Sequence, residues 1–367
     1  MTARPTTPPS RAVAAATTAL RRMPDPFTSR EADAYDRALA QAFGVRHALC
    51  TSSGTAALHL ALLAAGIGAG DEVLVPALAV PMSIAPLHYI GAVPVFVDCP
   101  ADGVGLDLED AAAKLTDRTR AVLPVHLWGR APDPAPLAAF ARRHGLVVVE
   151  DACQAHGTRV GGRLAGTSGD VGCFSTKDGK LLWSGEGGFL ITDDDRIADQ
   201  ARALRNHYLT PPARALPLSR VGFNHRLAEP LAAYAHGSLH RFDELLERRR
   251  AQAATLAESL SGLSRLTPIA PAPGWNGYSA LFELHLDQPR AFATLLAARG
   301  VANSVGTFHL APADRRPALT VRPAAPCRRA EHVIDTTLAV VVHHGHRDED
   351  LHTIAETIAK EAAAWAP

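Results

Sequence analysis

Runs of β-forming residues alternate with helical runs through most of this 367-residue chain, and several of the strand-like runs are almost wholly apolar. DEVLVPAL (71–78), AVPVFVDC (92–99), TRAVLPVHLWG (119–129) and LVVVEDA (146–152) are strands of this kind. Helical patterns lie between them, around Ser83 to Tyr89 and in APLAAFARRHG (135–145). A strand with no polar face must be covered on both sides, and strands separated by helices pair in parallel. The pattern predicts an α/β fold around a buried, mainly parallel sheet.

Further elements extend this layout. SREADAYDRALAQAF (29–43) has apolar positions at helical spacing. VRHALCTSSGTAALHLALLAAG (45–66) reads as a short strand, a small polar turn and an apolar helix starting near Gly54 or Thr55. FLITDD (189–194) reads as a strand and DRIADQARALRNH (195–207) as a helix. Residues 209–220, with Pro211, Pro212 and Pro217, read as a loop. A long helix follows over 227–260, with a bend expected near Pro230 or Gly237.

From about Ser264 short strands mix with helices. The expected division is therefore an arm over 1–27, a large α/β domain over 28–245 and a smaller α+β domain over 246–367. The arm is expected to be loosely ordered, because Pro5, Pro8, Pro9, Pro24 and Pro26 break regular structure.

Charge and cysteine content narrow the function. Lys plus Arg (37) balance Asp plus Glu (37), which argues against a nucleic-acid partner. The five cysteines are unpaired in spacing and indicate reduced thiols and a cytoplasmic protein. No run of about 20 apolar residues offers a membrane span, and residues 1–25 contain no secretory signal core.

Chemistry concentrates between Gly145 and Gly188. Asp151 falls at the carboxyl end of a strand, where open parallel sheets bind ligands. A carboxylate there can pair with a protonated pyridine nitrogen, or simply cap the next turn. Lys180 lies in a constrained loop, where an amine that sheds its proton can form a Schiff base and then act as acid and base. Lys177 is an equal candidate on chemistry alone, and a solvated loop lysine is the plain alternative for either. Gly54, Thr55 and Ala56 open a helix whose N–H groups suit a phosphate; Ser175 can add a hydroxyl. GIGAGD (66–71) lacks the last glycine of a dinucleotide fingerprint and follows a helix instead of a strand. His343, His344 and His346 lack a second ligand cluster, so they are not read as a metal site.

The combined spacing narrows these alternatives. EDACQAHG, then GDVGCFS, a lysine six residues after Phe174 and EGG six residues after that lysine resemble the DegT/DnrJ/StrS sugar and cyclitol aminotransferases. The resemblance spans about 43–242, including GTAALHLAL, PVHLWG and GFNHRLAEPLAA, and thins beyond it. It implies a fold-type-I transferase with a seven-stranded-type sheet, and pyridoxal 5'-phosphate as cofactor. It favours Lys180 over Lys177 as the Schiff-base residue and places Asp151 at the pyridine nitrogen and Gln154 beside the phenolic oxygen. Gly54, Thr55, Ala56 and Ser175 would hold the phosphate, with Glu186 and Gly187 shaping the lysine loop.

Asn224 and Arg226 would reach the partner subunit's cofactor, which implies a homodimer with shared sites. Glu or Gln would donate the amine, and a keto-cyclitol or keto-sugar would accept it, in antibiotic or other secondary-metabolite biosynthesis. FSTKDGK is nearer to the glutamine-dependent cyclitol branch and the aminohydroxybenzoate synthases than to the nucleotide-sugar branch. One departure stands out. Ala79 and Val80 occupy the usual Thr-aromatic pair, so Val80 would face the cofactor ring without π-stacking. That departure motivates an alternative: a dehydratase, epimerase or other reaction on the same fold. A histidine in place of Lys180 would mark the sugar dehydratases, and it is absent here. A non-catalytic cofactor-binding homologue is the remaining alternative.

Overall fold

The computed structural model describes residues 10–22, 30–101, 103, 105–208, 221–321 and 325–366. The expected loop at 209–220 lies outside them. Seven strands form the main sheet: β1 (His47–Thr51), β2 (Glu72–Pro76), β3 (Val93–Val97), β4 (Thr119–Val122), β5 (Val147–Asp151), β8 (Val171–Ser175) and β9 (Gly188–Thr192). A small hairpin, β6 (Arg159–Val160) with β7 (Arg163–Leu164), lies between β5 and β8.

The order across the sheet is β1-β9-β8-β5-β4-β2-β3. Five neighbours from β3 to β8 pair in parallel, while β9 runs antiparallel to both β8 and β1. The reversal has a local cause. A parallel return needs a crossover that is usually a helix, and residues 176–187 form a loop without one. The chain therefore doubles back, leaving Lys180 in the turn beyond the carboxyl end of β8.

Helices cover the sheet: α2 (Arg30–Phe43), α3 (Gly54–Ala64), α4 (Pro81–Tyr89), α5 (Leu108–Ala113), α6 (Pro134–His144) and α7 (Asp195–Arg205), with α1 (Ser10–Arg21) and α8 (Glu229–Ser238) packed beside them. Apolar side chains from α3, the strands and α7 form the largest core cluster. A second lies around Phe43, Phe174 and Phe189; the last two rings stack 4.6 Å apart.

Residues 10–21 correct the expectation of a loosely ordered arm. They form α1, with Ala12 and Ala19 buried. The prolines flank the alanine-rich run SRAVAAATTALR instead of interrupting it, so nothing stops a helix there.

The long C-terminal helix bends as expected near Gly237. α8 ends at Ser238, a 3₁₀ turn covers Leu239–Arg241, and α9 spans Phe242–Ser259. The remaining unit is an antiparallel sheet of β10 (Leu266–Pro268), β11 (Ser279–Leu284) and β12 (Thr337–Val341). It is packed with α10 (Pro289–Ala298), α11 (Arg328–Thr336) and α12 (Asp348–Ala364). α9 contributes Leu245 and Leu246 to a cluster with Leu181, and Ala253 and Leu256, with Leu260 just past its end, to the C-terminal core. The 245/246 division thus falls inside one continuous helix.

Candidate active site

The chemistry-bearing residues gather at the carboxyl ends of β1, β2, β5 and β8, where an open α/β sheet leaves its crevice. α3 starts just after β1. Ser53 caps it, its hydroxyl accepting the Ala56 N–H at 3.0 Å. Of Gly54, Thr55 and Ala56, the last therefore has its donor already satisfied. A Cβ on Gly54 would lie 2.8 Å from Ser175 Cβ and 2.9 Å from Cys153 Sγ. Only glycine lets the start of α3 meet the end of β8 so closely, and the result is a small-residue cradle at a helix N-terminus. Such a cradle can hold a phosphate.

β5 presents two buried carboxylates on opposite faces, as alternation along a strand requires. Asp151 points to the crevice: its carboxylate accepts the Ser83 hydroxyl at 2.5 Å and the Cys153 N–H at 3.0 Å. Glu150 points to the other face and accepts His126 Nε2 at 2.8 Å and the N–H groups of Gly166, Ser168 and Gly169 at 2.6–3.0 Å. Burial opposes ionisation of Glu150, but the His126 side chain and the Gly169 and Gly166 N–H groups outweigh it and hold the carboxyl below its ordinary range.

The β8–β9 loop is tied to itself. Thr176 N–H bonds the Gly187 carbonyl at 2.8 Å, Ser184 N–H bonds the Thr176 carbonyl at 2.8 Å, and the Thr176 and Ser184 hydroxyls are 2.8 Å apart. On this loop Lys177 is exposed and Lys180 is half-buried. Lys180 Nζ lies 3.1 Å from the Tyr278 hydroxyl, and Arg249 Nη2 donates to the Gly179 carbonyl at 2.7 Å. His156 is buried behind them. Burial, with the nearby charges of Lys180 and Arg249, holds its imidazole well below the ordinary range.

Gln154 follows in the turn after β5. Its Oε1 accepts the Trp128 N–H at 2.7 Å, which leaves its amide NH₂ as the donating end. Val80 is the N-cap of α4, one turn before Ser83, and packs against the main core. Glu186 is exposed and Gly187 buried in the loop.

Asn224 and Arg226 form a separate set. Arg226 donates to Asn224 Oδ1 at 3.1 Å and to Asn206 Oδ1 at 2.6 Å. The intervening His225 carbonyl accepts the Ser52 N–H at 2.8 Å, which anchors the pair beside the start of α3.

Several site residues carry no local sequence signal. Ser83, Asn276, Tyr278 and Arg249 come from α4, the segment before β11, and α9, and only packing brings them to Asp151 and Lys180. His343, His344 and His346 pack among themselves: the first two rings are 4.3 Å apart, and His346 Nδ1 accepts the His343 N–H at 3.2 Å. Among the described residues no group of His, Cys, Asp and Glu could hold a metal ion, and no helix is long and apolar enough to cross a membrane.

A carboxylate, an amine and a glycine-opened helix N-terminus at one end of a mostly parallel sheet define the class: an α/β transferase of fold type I. Residues 17–359 match the DegT/DnrJ/EryC1/StrS aminotransferase family, and the chain belongs to that family. It is 43% identical over 216 residues to the GDP-perosamine synthase of Caulobacter vibrioides, covering 59% of this chain and 58% of that one. It is 39% identical over 253 residues to the L-glutamine:2-deoxy-scyllo-inosose aminotransferase of Micromonospora echinospora, covering 65% and 60%. The chain thus spans about three-fifths of the length of these two relatives. Among solved structures, S. venezuelae DesV in complex with a ketimine intermediate superposes with a TM-score of 0.85 at 31% identity, covering 96% of this chain and 94% of that one.

Proposed function

We propose that this protein is a pyridoxal 5'-phosphate-dependent aminotransferase that moves an amino group from Glu or Gln to a keto-cyclitol or keto-sugar in secondary-metabolite biosynthesis. The observation that carries the proposal is that the charges of buried Asp151 and half-buried Lys180 both bear on Cys153, which packs with Ser175 against Gly54 at the start of α3. The donor set fits the cofactor. The start of α3, with Gly54 and Thr55, and the Ser175 hydroxyl take the phosphate, Ala56 shaping the helix start. Asp151, oriented by Ser83, would take the protonated ring nitrogen; Gln154 would offer its NH₂ to the phenolic oxygen; and Val80 would pack on the ring.

When bound, the cofactor supplies a carbonyl carbon for the amine and an electron-accepting ring. The chain's own part is to position and to move protons. Lys180, held on a self-bonded loop, would be the amine that holds the cofactor and the group that moves a proton at the substrate carbon. Exposure of Lys177 supports Lys180 as that residue.

A homodimer is part of this reading, in which Asn224 and Arg226 would reach the partner's phosphate. Exposed Tyr89 and Val221 support it. Tyr89 continues through His59 into Phe223 as one run of ring contacts, leaving apolar surface beside that pair. Five free cysteines fit a reducing, cytoplasmic setting.

Borohydride treatment of the protein mixed with pyridoxal phosphate should fix the cofactor on Lys180, read by peptide mass. The same adduct on a Lys180→Ala variant would overturn the assignment. Stoichiometric release of the 2-oxo acid from Glu or Gln, without acceptor, separates transamination from dehydration or epimerisation on the same fold.

A further inference from the structure

Tyr278 enters the crevice from the C-terminal unit, one residue before β11. Three contacts hold the segment Trp275–Tyr278 against the sheet. Asn276, wholly buried, donates from Nδ2 to the Gln154 and His156 carbonyls at 2.8 and 3.1 Å, and its Oδ1 accepts the Tyr278 N–H at 3.0 Å. Trp275 Nε1 donates to the Trp128 carbonyl at 2.9 Å. Gly129 has a φ of +77°, and a Cβ there would fall 2.1 Å from Asn276 Oδ1 and 2.9 Å from Tyr278 Cβ. Glycine is required at that point for the segment to dock.

The docked phenol has two cations near its ring. Lys180 Nζ is 3.1 Å from its oxygen and 4.8 Å from the ring centroid, and the Arg249 guanidinium carbon is 5.7 Å from the same centroid. We propose that Tyr278 is a further catalytic residue, whose phenol oxygen accepts a hydrogen bond from the Lys180 amine and stabilises the ammonium formed when that amine takes a proton from the substrate carbon. The inference rests on the assignment of Lys180 made above.

The step balances simply. The carbon–hydrogen bond of the amine-bearing carbon breaks, its electron pair stays with the substrate and cofactor, and the proton bonds to Lys180 Nζ. Tyr278 keeps its own proton throughout. A hydrogen bond from a charged donor is roughly twice as strong as one from a neutral donor, so the phenol oxygen favours the ammonium over the amine. The ring face adds to that preference.

Other charged and titratable groups surround the lysine: Asp151, Cys153 and His156 from β5 and the turn after it, Arg249 from α9, and His343, which packs against Gly179. All of them remain when only the hydroxyl is removed, so Tyr278→Phe isolates it.

Two measurements test the proposal. In the full chain without cofactor, the pH dependence of Lys180 arylation by fluorodinitrobenzene is followed by peptide mass. The Tyr278→Phe midpoint should fall by about half to one pH unit, and Tyr278→Leu, lacking the ring too, should fall further. In the loaded enzyme, Tyr278→Phe should lower kcat about tenfold with the donor KM within about twofold. The isotope effect on a donor deuterated at its amine-bearing carbon should rise. An unchanged midpoint with an unchanged isotope effect overturns the role of Tyr278, whatever happens to kcat. Borohydride fixation run in parallel keeps the two readings apart. Attachment at Lys180 with neither readout moved removes only Tyr278 from the mechanism, whereas attachment elsewhere removes the lysine assignment and this inference with it.

Discussion

The two faces of β5 carry adjacent acids in opposite circumstances. Glu150 accepts three backbone N–H groups and the Nε2 of a buried histidine; Asp151 accepts one hydroxyl and one N–H and faces the crevice. A carboxylate has about four lone-pair sites. Glu150 has filled its capacity with the protein itself, stapling the 166–169 turn to β5. Asp151 has acceptor capacity left for a ligand. Two neighbouring residues of the same chemistry are thus divided into structure and function by the pleat of one strand.

The comparison can be broken or sharpened by substitution. The largest effect is expected on the crevice side, one loop away. Lys180→Ala should lower transamination by at least about 10⁴-fold, while Lys177→Ala leaves it within about twofold; comparable losses in both would remove the distinction that burial draws.

Asp151→Asn should lower kcat by about 10² to 10³-fold with a melting temperature near that of the parent. Glu150→Gln should do the reverse: a loss of about 1–3 kcal/mol in denaturant unfolding, with kcat changed by less than about tenfold. If Glu150→Gln removed activity from a protein as stable as the parent, the division between the two faces would be wrong.

A third effect is set by pH. Burial, then the charges of Arg249 and His346, lowers His343 to about 4; burial, then His343 and Arg249, lowers His344 to about 3. Their folded values lie below the ordinary 6.5, so the unfolded chain binds protons first. The stability they contribute is complete above about pH 6.5 and is lost as pH falls toward 4 and 3. Urea unfolding from pH 8 to 4 should show that decline, and His344→Phe should flatten part of it.

The smallest effect concerns Val80. Val80→Tyr should tighten pyridoxal phosphate binding about fivefold by restoring an aromatic face, measured by cofactor titration; no change would mean that the ring does not lie on that residue.

Much of this architecture was legible in the chain. The apolar strands and intervening helices implied the covered parallel sheet, and the family resemblance carried by the spacing of Asp151, Phe174, Lys180 and Glu186 implied the chemistry. The direction of β9 was not legible, because FLIT reads the same parallel or antiparallel; the missing crossover helix decided it. Nor was α1, since prolines on both sides concealed a good helical run.

Near the site, GDVGCFS counted as a motif of the resemblance with no strand assigned to it, yet residues 171–175 form the central strand β8 that carries Ser175. Tyr278 and Arg249 were invisible for a different reason. Each lies tens of residues from Lys180 and meets it only through packing of the C-terminal unit.

By itself, the sequence determined the fold class, because strand periodicity is a local property of a chain, and the resemblance carried by its motifs named Asp151 and Lys180 as the expected pair. Tertiary structure decided which lysine is half-buried, which acid keeps free acceptor capacity, and which phenol meets the amine. Burial and hydrogen-bond saturation depend on atoms distant in sequence, and no local pattern encodes them.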